Sequence, residues 1–241
     1  MPDITSLELE SLRQVFQPLV GLKINWLSIP NQALPGFEPS QIAVIVNTLL
    51  DAILPQIEHL ATDEENAKHL RGIGLSKAPG IIGQREGYPD YVHASGKRVE
   101  LKGLFVDNPA LKMKRPPTAR EPSARLKENV TMQVIHPEND ALLLAAAQLK
   151  EDESGDCSPY IIDIGVFSMV ECVRVRDARL AEAGGQWIDD IPKVVKKTSM
   201  SKFAAGQQLS PADFEKDTNF GKLKRIPYQP LQDFMRKHGA I

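Results

Sequence analysis

An α/β fold is predicted by three features of the sequence. Apolar residues recur at helical spacing from Ile42 to Leu60. Two apolar runs of strand length lie at 141–149 and 160–167, and residues 88–103 alternate in the manner of a hairpin. Taken in order, residues 5–20 read as a first helix, and Pro30, Pro35 and Gly36 mark a loop. Ser40 is placed to cap the long helix carrying Ile42, Ile45, Val46, Leu49, Leu50, Ile53, Leu54, Ile57 and Leu60, with a kink at Pro55. Residues 62–87, with Gly72, Gly74, Gly80 and Gly83, read as loop. The Leu and Ala run Ala141–Leu149 reads as a buried strand, with helix as the open alternative; Glu151–Asp156 is a surface turn, and Tyr160–Phe167 is a second buried strand. Ser168 with Glu171 fits a capping box, and Gly184-Gly185 ends the helix it opens. Residues 192–198 read as a basic edge strand and 199–208 as a polar loop. Ser210-Pro211 opens a short helix, and a last helix over 230–238 closes at Gly239.

Composition narrows the function classes. The 241 residues are 42% hydrophobic and 25% charged, which is ordinary for a globular chain of one large domain, and no boundary or repeat is visible. A net charge of −2 excludes a general polycation, so affinity for nucleic acid has to come from local basic patches. Cys157 and Cys172 have neither metal-ligand nor redox spacing and are expected to be free thiols in a reducing cytoplasm. His59, His69, His93, His136 and His238 show no zinc spacing, and no phosphate loop, dinucleotide fingerprint or nucleophile elbow is present. With no signal-peptide layout and no 18-residue apolar run, a soluble intracellular protein is expected.

The chemistry concentrates in the hairpin. Gly87-Tyr88-Pro89-Asp90-Tyr91-Val92-His93 leads into the turn Ala94-Ser95-Gly96 and then Lys97-Arg98-Val99-Glu100-Leu101-Lys102-Gly103. Strand side chains alternate faces, so Glu100 and Lys102 share one face while Val99 and Leu101 pack inward. Asp90, on the partner strand, then lies close to Glu100. Two carboxylates suit Mg²⁺, a hard cation that prefers oxygen and keeps several waters. An ammonium on the same face can orient a water or steady developing charge. The charged face of an ordinary hairpin has the same spacing and stands as the alternative.

Asp90, Glu100 and Lys102 resemble the PD-(D/E)XK nuclease signature, most familiar in type II restriction endonucleases. The Tyr88–Tyr91 form, Tyr-Pro-Asp-aromatic, occurs in several blunt-cutting members. The motif covers about 15 residues; the length, the preceding amphipathic helix and the order of later strands also fit that family. The resemblance implies a restriction-endonuclease-like core, with a central mixed β-sheet flanked by helices in a single nuclease domain. It also implies Mg²⁺ dependence, metal binding by Asp90 and Glu100, and phosphodiester hydrolysis leaving 5′-phosphate and 3′-hydroxyl ends. A homodimer would present two copies of one site to the two strands of a palindrome in double-stranded DNA. A cognate DNA methyltransferase protecting the host, in a prokaryotic cytoplasm, completes that expectation. Members often add an acidic residue from a helix to the metal site. Asp51 stands where that helix would place it, with Glu58 as the weaker candidate; a solvated carboxylate on a polar helix face explains either equally well.

DNA contacts are expected from three places. Gln84 and Arg85 precede the hairpin and could reach a groove. Residues 112–128 carry Lys112, Lys114, Arg115, Arg120, Arg125 and Lys127 against only Glu121 and Glu128, as suits phosphate contact. Lys196, Lys197, Ser199, Lys202, Gln207 and Gln208 are residue types that hold phosphates or read base edges. Solvated surface is the open alternative for all three. Two other readings stay open for the whole chain: a repair or junction-resolving nuclease with the same chemistry, and a non-catalytic DNA-binding module.

Overall fold

The computed structural model describes residues 2–24, 27–60, 63–79, 87–114 and 124–241, without the side chains of residues 58–60 and 66. Helix α1 (Ser6–Phe16) starts at Thr5, whose hydroxyl accepts from the Glu8 amide while the Glu8 carboxylate accepts from the Thr5 amide. After β1 (Ile29–Pro30) comes α2 (Pro39–Ile53). Its cap is Glu38 with Pro39 in the first turn, rather than Ser40, the residue type that favours the position. At Leu54 α2 passes into a 3₁₀ segment, which kinks at Gln56, next to Pro55, as the sequence predicts. Residues expected to be loop contain α3 (Glu64–Arg71) and β2 (Leu75–Lys77), which are too short to show a period. Then follow β3 (Tyr91–His93), β4 (Arg98–Val106), β5 (Asp140–Glu151), β6 (Asp156–Ser168) and α4 (Met169–Glu182). The Ala141–Leu149 ambiguity resolves as strand.

The chain is α/β, with a mixed six-stranded sheet in the order β1-β6-β5-β4-β3-β2. Only β4 and β5 run parallel, joined by the long 107–139 connection. Central β5 reads Leu-Leu-Leu-Ala-Ala-Ala because both its faces are covered. On one face Val99, Leu101, Ala141, Leu143 and Ala145 pack with α1 and α2 through Leu12, Phe16, Ile42, Val46 and Leu50. On the other, Leu104, Leu142, Leu144 and Ala146 meet α4 and the C-terminal segments through Met169, Val173, Leu223 and Leu231. Gly103 lets α2 lie close on β4, since a β-carbon there would sit 1.6 Å from Asn47 Oδ1.

A second sheet of three strands combines β7 (Gln186–Ile188), β8 (Ile191–Val195) and β9 (Phe214–Lys216). Its order, β7-β8-β9, puts the basic strand in the middle rather than at an edge. Residues 199–208 hold the short α5 (Met200–Ala204), and α6 (Gln229–Lys237) closes the chain, with Gly239 at φ +64°. Both cysteines are buried free thiols. Residues Pro39–Ile57 are long and apolar enough to cross a membrane by length and composition, although polar residues interrupt the segment. In this fold Ile42, Val46, Leu50 and Ile53 of that segment face the core.

Candidate active site

The hairpin register pairs Tyr91 with Val99 and Val92 with Arg98, which sets Asp90 across from Glu100. Asp90 Oδ2 accepts the Leu101 N–H at 2.9 Å, fixing that carboxylate against β4. Lys102 Nζ donates to Glu100 Oε1 at 2.5 Å and to the Leu101 carbonyl at 2.8 Å, and lies 3.6 Å from Asp90 Oδ2. One ammonium is therefore cradled by three oxygens, two from β4 and one from Asp90 just before β3.

Glu100 is only 1% exposed, because its face of β4 is covered by the second core layer. Its Oε1 is bound by Lys102, but among the described residues Oε2 is buried with no hydrogen-bond partner. Burial pushes the Glu100 carboxyl up to about 7; Lys102 opposes the rise and the Asp90 charge adds to it. Burial would lower Lys102, but Glu100 and Asp90 outweigh it and hold the ammonium above the ordinary lysine range.

Beside this trio stands a second polar group. Arg98, two residues before Glu100 on the same face of β4, sets its Nε 3.2 Å from Asp140 Oδ1, off the alignment of a hydrogen bond. Asp140 is fully buried at the head of β5, directly opposite Arg98. Its Oδ2 accepts the Tyr88 hydroxyl at 2.5 Å and the His136 amide at 3.0 Å. The Arg98 guanidinium lies over the Tyr88 ring at 5.2 Å. Burial raises the Asp140 carboxyl against the pull of Tyr88, His136 and Arg98, and it also raises the Tyr88 phenol.

The charge of Lys127 also reaches Glu100 and lowers its carboxyl. Lys127 also lines a cleft of about 1170 Å³ with Arg125, Trp187, Asp190 and Asp217. That wall is held by buried Arg176, whose guanidinium donates to the Lys127 carbonyl at 3.3 Å and the Val130 carbonyl at 2.9 Å, over the Phe220 ring at 4.3 Å.

The other sequence-derived candidates fall elsewhere. Asp51 is not joined to the Asp90–Glu100 pair: it takes Lys77 Nζ at 2.5 Å and the Tyr91 hydroxyl at 2.7 Å, and only the charge of Lys102 reaches it. Tyr91, its hydroxyl partner, packs in the α2 layer with Val99 and Leu101, whereas Glu100 alternates to the other face of β4. Ser199 is buried and donates to Asp213 at 2.7 Å, so it is not free to read a base edge. Lys202 pairs with Asp213 at 3.1 Å, and Lys196 donates to the Ala212 carbonyl at 2.7 Å. Lys112, Lys114, Lys197, Gln207 and Gln208 lie at the surface. Gln84, Arg85, Arg115, Arg120 and the Glu58 side chain lie outside the described residues.

Sequence reasoning passes over Asp140 and its link to Arg98 and Tyr88. The residue stands just before an apolar run, and nothing local reveals that β5 pairs in parallel with β4 at that register. Among the described residues no three His, Cys, Asp or Glu side chains gather as a metal-binding group. Two carboxylates, one of them with an unpartnered buried oxygen, and a carbonyl nevertheless fit Mg²⁺, which takes one or two carboxylates and retains waters. No protein-family model, no curated protein and no solved structure matches the chain.

Proposed function

We propose that the protein is a Mg²⁺-dependent endonuclease of double-stranded DNA, of the type II restriction class and built on a restriction-endonuclease-like core. The observation that carries this reading is the buried, unpartnered Glu100 Oε2 beside a three-oxygen cradle. An unsatisfied buried carboxylate oxygen is costly, and a cation ligand removes that cost. Asp90, Glu100 and the Leu101 carbonyl would hold Mg²⁺. When bound, it supplies neutralisation of the charge that builds on a phosphate.

The chain's own groups do the rest. Asp90 is fixed by the Leu101 amide, so its free oxygen keeps one direction. Lys102 keeps its proton and offers N–H donors to the attacking water or to a phosphate oxygen, which orients the reactants. Hydrolysis forms a bond from the water oxygen to phosphorus as the P–O3′ bond breaks, and the 3′ oxygen takes a proton. The 5′ end keeps the phosphate. Lys112 and Lys114, at the surface, suit contact with the DNA backbone. A two-fold homodimer would cut both strands of a palindrome.

Digestion of a fully sequenced phage DNA with Mg²⁺, followed by mapping of the ends, tests the reading. Discrete fragments with a common end sequence are expected. Intact DNA would contradict nuclease activity, and a random smear would contradict site specificity.

A further inference from the structure

We infer that Asp140 is a positioning residue that holds Arg98 away from Glu100, keeping Glu100 Oε2 open for a cation. This rests on the metal-site reading above. Arg98 and Glu100 are two residues apart on one face of β4, about 6–7 Å along a strand, within reach of an arginine side chain. A buried carboxylate oxygen without a partner, so close to a guanidinium, would normally be taken by it. Here the guanidinium is engaged elsewhere.

The geometry explains how. The parallel register of β4 and β5 sets Asp140 directly beside Arg98, one step along β4 from the site residues. Tyr88 and the His136 amide fix Asp140 Oδ2, which aims Oδ1 at Arg98 Nε. The Tyr88 ring lies against the guanidinium, and the Val134 carbonyl accepts from Arg98 Nη2 at 3.3 Å. Arg98 therefore has a carboxylate, a ring and a carbonyl as partners in place of Glu100. The pairing divides the ion pairs of this face into two sets, Arg98 with Asp140 and Lys102 with Asp90 and Glu100. The unsatisfied Glu100 Oε2 falls in the second set.

Removing the Asp140 charge should release Arg98 onto Glu100. Mn²⁺ titration followed by electron paramagnetic resonance reads the consequence without DNA or turnover. Asp140→Asn should weaken Mn²⁺ binding on the order of tenfold or more, the scale of changes made behind metal ligands. Adding Arg98→Gln to Asp140→Asn should restore binding, because the competitor is gone. A double variant as weak as Asp140→Asn, or an Asp140→Asn variant that binds normally, would overturn the inference. Arg98→Gln alone should bind Mn²⁺ like the wild type. A large loss there would make Arg98 part of the site itself and also overturn it, even if Asp140→Asn does not fold. A crystal structure of Asp140→Asn should show the guanidinium on Glu100; a guanidinium still on residue 140 would contradict the inference whatever the metal data. Failure of the site reading looks different: wild type and Glu100→Gln would then bind Mn²⁺ alike.

Discussion

Glu100 and Asp213 are both carboxylates beside a lysine, and they differ in what their second oxygen meets. Asp213 Oδ1 accepts from Ser199 and Lys202, and Oδ2 accepts from the Ser210 amide and hydroxyl at 2.9 and 2.8 Å. Those hydrogen bonds, Ser199 first, hold its carboxyl well below the ordinary range. Among the described residues Glu100 has Lys102 on one oxygen and no hydrogen-bond partner on the other, and burial drives it the opposite way. A carboxylate with every acceptor position filled ties a loop together. One left half-filled in a buried place stores an unmet demand, and a cation or substrate can meet it. In the 199–208 segment, expected to read bases, Ser199 and Lys202 are thus tied to Asp213, while Gln207 and Gln208 stay exposed.

The largest effect expected from this contrast is at Glu100. Glu100→Ala should lower DNA cleavage on the order of 10²–10³-fold or more, the scale for removal of a charge-stabilising group. DNA binding should survive, since the residue is buried. Asp90→Ala and Lys102→Ala should also be inactive. Plasmid nicking at near wild-type rate by any of the three would remove that residue from the site.

Asp213→Ala should invert the pattern. Without its hydrogen bonds to Ser199, Lys202 and Ser210, Tm should fall and amide exchange through residues 199–210 should speed up, with the cleavage rate constant unchanged. A collapse in cleavage with no change in exchange would place Asp213 in the chemistry and break the comparison.

The pH dependence of stability should separate the two carboxylates as well. Glu100 titrates near 4.5 when unfolded and near 7 when folded, so between these values the folded chain binds more protons. Its contribution is full below about 4.5 and is lost as pH rises to about 7. Glu100→Gln should flatten that part of the Tm profile in cation-free buffer; an unaltered profile would contradict the burial argument. Asp213, lowered rather than raised, contributes above its ordinary 3.8, and that contribution disappears in acid.

The smallest effect concerns the surface cations. Lys112→Ala and Lys114→Ala each remove one phosphate-binding charge. Either should lower the slope of log K against log salt by about 0.9, with sequence preference unchanged. Altered preference at one base pair would show that these residues read bases.

How much of the molecule is legible in its sequence depends on how local each signal is. Strand alternation at Val99–Lys102 and the Gly96 turn, at φ +84°, are fixed by neighbours in sequence, so the trio can be read from the chain itself. The two apolar runs read as strands because β5 and β6 are buried on both faces. That Asp51 meets Lys77 and the Tyr91 hydroxyl is not legible locally, because helix periodicity gives the face of a helix, not the side of the sheet it covers. The parallel β4–β5 register that brings Asp140 to Arg98 spans about forty residues, and no local pattern records it. Central β8 looks like an edge because Lys193, Lys196 and Lys197 resemble edge protection, yet β9 arrives from about twenty residues later.

The most direct test of the central claim is Mn²⁺ binding to wild type and to Glu100→Gln, which keeps the shape of the side chain and removes its charge. A Mn²⁺ site is expected in the wild type and lost in Glu100→Gln, with both proteins equally folded. Equal Mn²⁺ binding by the two would contradict the claim.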